Sequence, residues 1–222
     1  MTIIPNFAVF EGGDGSGTST QLELLRKRFP PHRSPEAAPP LPPLYATFEP
    51  TGGPIGGLIR EALRGTLSLR PETLARLFAA DRNEHLHGKD GIAERCARGE
   101  LAVSDRYVLS SLVYQGLDCG EALPARLNED FPAPELLLFF DLDPETAWKR
   151  LEARPLKDSY EHRGFQILVY RRYRDLLPRW AGEGVRVERI DASRTPSEVA
   201  GEVWRALKKM PILGGVENGN GT

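Results

Sequence analysis

The sequence predicts an α/β fold built on a parallel β-sheet flanked by helices on both faces. Three observations lead there. The main strand candidates, 3–10, 101–104 and 136–142, are continuous apolar runs, the pattern of strands covered on both sides. They alternate along the chain with segments of helical periodicity. Polar and glycine-rich stretches follow the strand ends, which is where such sheets bind ligands.

Each element has its own signal. Residues 3–10 read as a buried strand, and 19–29 as a helix with Leu22, Leu25 and Phe29 on one face. Seven prolines within 30–44 exclude a helix or an interior strand and mark a rigid surface connection. A short strand is expected at 45–48 and a helix at 55–63. Pro71 and Glu72 suit the first turn of a helix reaching His87. A short helix at 93–98 stops at Gly99. The strand 101–104 ends at Asp105. After the strand 136–142, Asp143-Pro144-Glu145 starts a helix at about 145–154. A long helix at 160–180 carries Pro178 near its end, and a strand at 185–190 precedes a last helix at 196–207. With no internal repeat or linker, the expectation is one domain over 1–210 with a short connection at about 152–163. The Gly- and Asn-rich 211–222 is expected to be a flexible tail.

Composition narrows the function. A length of 222 residues and 40% hydrophobic content suit one soluble globular domain. The net charge of −2 argues against a protein that mainly grips a nucleic-acid backbone. Cys96 and Cys119 show no metal-type spacing and form no disulfide framework. There is no signal-peptide pattern and no apolar run of membrane-spanning length, so a cytoplasmic chain with no membrane partner is expected.

The chemistry concentrates in GGDGSGTSTQ, residues 12–21, directly after the first strand. The phosphate-loop pattern is Gly, four residues, Gly, Lys, then Ser or Thr. Gly12, Gly17 and Ser19 fit it, but Thr18 occupies the lysine position. Glycines let successive backbone N–H groups curl round a phosphate, and the next helix aims its positive end at the same anion. Ser19 would place a hydroxyl on a magnesium ion. At the end of the 101–104 strand, Asp105 could serve a metal and Arg106 a phosphate, or the two could be a surface ion pair. Phe78 and Arg82 share a helix face, which suits stacking on a base and reading its edge, although such a pattern by itself is more often a core ring beside a solvated charge. The basic residues in ARPLKDSYEHRG could close over phosphates or simply face solvent.

Together these stretches resemble the thymidylate kinase family, in its bacterial type. FAVFEGGDGSGTSTQ is similar to that family's first strand and phosphate loop, and FEPTGGPIG to its Arg-Glu-Pro loop. LFAADRNEH resembles its substrate helix, and SDRYVLSSLVYQG is a close match to its Ser-Asp-Arg-Tyr segment. PELLLFFDLDPETAWKR, DSYE and RIDAS resemble the later strands and the lid, so that the likeness runs over about residues 5–208.

The resemblance implies a phosphate-loop nucleoside monophosphate kinase fold. It implies transfer of the γ-phosphoryl group of ATP to dTMP with Mg²⁺, in a homodimer. Gly12, Gly13, Asp14, Gly15, Ser16, Gly17, Thr18, Ser19 and Thr20 would bind ATP, with Ser19 and Asp105 at the metal. Asp14, Phe48, Phe78, Arg82, Arg106, Ser111, Tyr114 and Gln115 would bind the acceptor. Phe78 would stack on thymine, Arg82 would bond its edge, and Tyr114 would crowd the sugar's 2′ position. Asp14, Arg106, Arg154 and Lys157 would carry catalysis. The chain departs from the family pattern at Thr18, at Phe48 (arginine in many members) and at Ser159 (arginine in many lids). Members with glycine at the Gly15 position rely on basic lid residues, which leaves Arg154, Lys157 and Arg163 to replace the loop lysine. A degenerate nucleotide-binding module and a kinase for another nucleoside monophosphate are the competing readings.

Overall fold

Phe7, Ala8, Val9 and Phe10 are all fully buried, which an isolated half-buried strand would not allow. Alternate residues of a strand face opposite ways, so helices must cover both sides. The computed structural model describes residues 1–29, 41–152, 160 and 163–214, and shows this arrangement. The order is β1 (Ile3–Glu11), α1 (Thr18–Arg28), β2 (Leu44–Phe48), α2 (Pro54–Leu63), α3 (Pro71–His87), α4 (Ile92–Ala97) and β3 (Leu101–Asp105). Then follow α5 (Val108–Cys119), α6 (Ala122–Asn128), β4 (Ala133–Asp141), α7 (Pro144–Glu152), α8 (Arg163–Gly182), β5 (Arg186–Asp191) and α9 (Pro196–Leu207).

The five strands are parallel, in the order β2-β3-β1-β4-β5. Phe7, Val9, Leu137 and Phe139 face a core shared with Val113 of α5 and Val169 and Tyr173 of α8. Ala8, Phe10, Leu138 and Phe140 face the opposite core, with Leu22 of α1 and Val199 and Val203 of α9. Full burial of each Val, Leu or Phe side chain among them contributes about 1.5–3 kcal/mol. A short 3-10 turn, Pro211–Leu213, adds Leu213 to the second core.

Some boundaries differ from the periodicity. Residues 108–135 carry no element in the sequence reading, yet α5 and α6 form there. β4 starts at Ala133, three residues early, and takes Pro134 into a central strand. A proline has no N–H for the ladder. The register of β1 shifts between Ile4 and Ala8 at that point, with Asn6 at φ 64° donating its N–H to the Glu135 carboxylate at 2.8 Å. The long helix begins at Arg163, with Tyr160 in a turn before it. Asp143 does start α7: its Oδ1 accepts from the N–H of Glu145 at 3.1 Å and of Thr146 at 2.9 Å. The Thr146 hydroxyl, together with these backbone bonds, holds its carboxyl below the usual range.

The register sets the site. Phe10 of β1 and Phe48 of β2 both stand opposite Asp105 of β3. The chain therefore leaves three adjacent strands at one level, and the segments that follow converge above the sheet.

Candidate active site

The loop after β1 is held open by its glycines. A Cβ on Gly12 would lie 2.6 Å from Ser16 Oγ, and one on Gly15 would lie 2.8 Å from the Ala147 carbonyl of α7. Gly15 also has φ +83°, a region that L side chains rarely adopt. Gly17 precedes α1 in the left-handed region, with no side-chain cap and no acidic residue in the first turn. The first N–H groups of α1 are thus left for an anion. Thr18 is buried as the first helical residue and brings no charge. Ser19 and Thr20 are exposed. Ser19 donates its hydroxyl to Asp105 Oδ2 at 2.6 Å, while Asp105 Oδ1 is buried without a partner among the described residues.

Arg106 links this loop to the next site. It has φ 74°, and its N–H bonds the Phe10 carbonyl at 2.9 Å. Its Nη2 donates to Asp14 Oδ1 at 2.6 Å, and its Nη1 to the Gly12 carbonyl at 3.2 Å and Ser110 Oγ at 3.3 Å. Gln166 of α8 holds the other side of Asp14: Nε2 donates to Oδ2 at 2.7 Å and Oε1 accepts the Asp14 N–H at 3.2 Å. Behind Arg106, Glu11 is fully buried. Its Oε1 accepts from the N–H of Tyr107 and of Ser110, and its Oε2 from Ser110 Oγ at 2.6 Å and Tyr173 Oη at 2.9 Å. Burial pushes the Glu11 carboxyl up to about 7, against the pull of those bonds and of Arg106.

Beyond Arg106 a cavity of about 130 Å³ opens, lined among others by Asp14, Phe78, Arg82, Ser111, Tyr114 and Gln115. The sequence singled out these residues from three separate segments, and the fold places them round one space. Arg82 is only 1% exposed. Its Nε and Nη2 donate to Glu49 Oε2 at 3.0 and 2.6 Å, Nη2 also to Ser111 Oγ at 3.1 Å, and Nη1 to Asn128 Oδ1. Glu49 Oε1 meets His85 Nδ1 at 3.1 Å, and His85 Nε2 meets Thr47 Oγ1 at 2.7 Å. The Tyr114 ring lies under Arg106, 5.1 Å from the guanidinium carbon, and against Tyr160 and Phe165. Asp81 fixes the loop after β2, accepting from the Thr51 N–H at 2.7 Å and its hydroxyl at 2.6 Å.

Other expected site residues do not line this cavity or are not described. Phe48 is 43% exposed and does not line the cavity. Arg154, Lys157 and Ser159 lie outside the described residues. Arg163 pairs with Glu145 at 2.5 Å and is 62% exposed. Sequence reasoning gave no role to Glu11, Glu49, Asn128, Arg150 or Gln166. Arg150 of α7 bonds the Gly15 carbonyl at 3.3 Å and the Ala192 carbonyl at 3.0 Å, tying the loop to the end of β5. An acid at the end of a fully apolar strand was a usable signal for Glu11; nothing local marks Asn128 or Gln166.

The family model for thymidylate kinase matches residues 10–203 of the chain. A relative from Pyrobaculum aerophilum named "Probable thymidylate kinase" is 41% identical over 206 residues, 92% of this chain and 97% of its own. One from Treponema pallidum (strain Nichols) is 40% identical over 200 residues, 86% and 89% of the two chains. The "Thymidylate kinase" of Synechococcus sp. (strain JA-3-3Ab) is 36% identical over 207 residues, 91% and 95%.

Proposed function

This chain belongs to the thymidylate kinase family, and on that premise we propose how its residues move the γ-phosphoryl group of ATP to dTMP, giving dTDP and ADP. The observation that carries the reading is Arg106. It joins the uncapped glycine loop to the cavity, touching Gly12, Asp14 and Ser110 at once.

In this reading the loop 12–18 and the first turn of α1 hold the donor phosphates through backbone N–H groups. The acceptor's base enters the cavity between Phe78 and Arg82, and its phosphate meets Arg106. An acceptor phosphate oxygen then attacks the γ-phosphorus in line, and the bond to the β-phosphate oxygen breaks. Such a transfer depends on positioning and charge neutralisation more than on covalent help from the protein. Asp14, held on one oxygen by Arg106 and on the other by Gln166, orients the acceptor sugar. Tyr114 fills the space beside it.

Asp105 Oδ1, without a partner among the described residues, and the Ser19 hydroxyl are hard oxygen donors at the end of the loop, and they fit Mg²⁺, which needs few protein ligands beside phosphate oxygens. When bound there, Mg²⁺ neutralises charge that develops on the phosphates. Arg163 remains available to the phosphates, because an exposed ion pair with Glu145 contributes little. With Arg154 and Lys157 it supports the reading that lid cations stand in for the lysine absent at Thr18. The family resemblance supports a homodimer and a single kinase domain in the cytoplasm. Among the described residues no helix is long and apolar enough to cross a membrane.

A coupled ADP-release assay with dTMP, dUMP, dCMP, dGMP and AMP tests the assignment. The highest kcat/KM is expected for dTMP. A folded chain that neither binds dTMP in calorimetry nor turns it over removes the reading.

A further inference from the structure

The Arg82 guanidinium has five N–H donors and no acceptor. Nε uses one on Glu49. Nη2 uses two, on Glu49 and Ser111. Nη1 uses one on Asn128. One Nη1 hydrogen remains without a partner among the described residues, on a group that lines the cavity. The rings of Tyr107 and Phe131 lie 5.2 and 5.7 Å from the guanidinium carbon and restrict its plane.

Asn128 decides which Nη1 hydrogen is spare. It closes α6 and is buried. Its Nδ2 donates to the Pro124 carbonyl at 2.8 Å while its Oδ1 accepts from Arg82. The amide has no choice of orientation, because a guanidinium only donates and a carbonyl only accepts. The carboxylate of Glu49 fixes one edge of Arg82, and the neutral amide of Asn128 fixes the other.

We propose that Asn128 is a specificity-positioning residue: by occupying one Nη1 hydrogen of Arg82 it presents a single guanidinium donor to the acceptor's base. The pocket then selects bases with a carbonyl at that edge over bases with an amino group. A donor-only edge facing an amino group leaves buried donors on both sides unpaired, the situation in which polar sites discriminate most strongly. This rests on the acceptor assignment above.

The test compares dTMP, dUMP and dCMP as acceptors for wild type, Asn128→Leu and Asn128→Asp. Leucine keeps the volume but removes the acceptor. For Asn128→Leu, kcat/KM for the two keto acceptors should fall together, about tenfold or more, mainly through KM. The value for dCMP and the KM for ATP should stay put, so the keto-to-amino ratio narrows. Asn128→Asp keeps an oxygen for Arg82 and should hold the ratio within about threefold of wild type. A uniform fall for all three acceptors, or an unchanged ratio in Asn128→Leu, overturns the proposal and leaves Asn128 a structural residue. A wild type that ignores dTMP overturns the acceptor assignment instead, and the proposal with it.

Discussion

Replacing Glu11 with glutamine should make the protein more stable at neutral pH, and increasingly so as pH rises. The buried carboxyl is raised from 4.5 to about 7 by desolvation. A difference of that size corresponds to about 3 kcal/mol between protonated and ionised forms. The folded state binds the proton more tightly than the unfolded chain. The group's stabilisation is therefore complete below about pH 4.5, and is lost as pH rises through about 7. Glutamine fits the same four partners. Its carbonyl can accept from the N–H of Tyr107 and Ser110, and its amide can donate to the hydroxyls of Ser110 and Tyr173. It has no proton to lose in this range. Urea unfolding of both proteins at fixed ionic strength, between about pH 4.5 and pH 8, reads the difference. The advantage of Glu11→Gln should grow by about 3 kcal/mol across that window. A gap that stays flat, or that shrinks towards high pH, refutes the argument that Glu11 is held as a buried acid.

Three further outcomes follow from the site. Thr18→Lys should raise kcat less than about tenfold if lid cations already serve the phosphates; a gain of about 10²–10³, the usual value of one restored donor, would show that nothing replaces the lysine. Arg106→Ala should weaken dTMP binding far more than ATP binding in calorimetry, because it removes a half-buried charged donor from the acceptor side; equal losses would assign Arg106 a structural role. Tyr114→Ala should narrow the ratio of kcat/KM between deoxy- and ribonucleotide acceptors, and an unchanged ratio would release Tyr114 from sugar selection.

The sheet and most helices were legible in the chain because their signals are local. Phe7–Phe10 and the apolar run of β4 announce strands buried on both faces. Pro71 and Pro196 mark helix starts that the structure places at those residues. The glycine loop stands out by residue type and spacing, and Asp105 and Arg106 by their place at a strand end, where segments after neighbouring parallel strands meet above the sheet; Phe78 and Arg82 take a ligand-facing reading only from the family resemblance. What holds these groups was not legible. Gln166 grips Asp14 across 152 positions, Glu11 reaches Ser110 across 99, and Asn128 meets Arg82 across 46. Each is one polar residue on an ordinary helix or strand, with no periodicity to set it apart. Such a residue gains meaning only when the register of β1, β2 and β3 brings their ends to one level, α5 and α8 pack on the sheet, and α6 packs on α3 and α5. Burial then makes an unpaired donor or acceptor costly, and the partner is whichever group the fold has brought within about 3 Å. Sequence placed the glycine loop after β1 and set Phe78 and Arg82 on one helix face; the tertiary contacts of Glu11, Asn128 and Gln166 decided how Ser110, Arg82 and Asp14 are held.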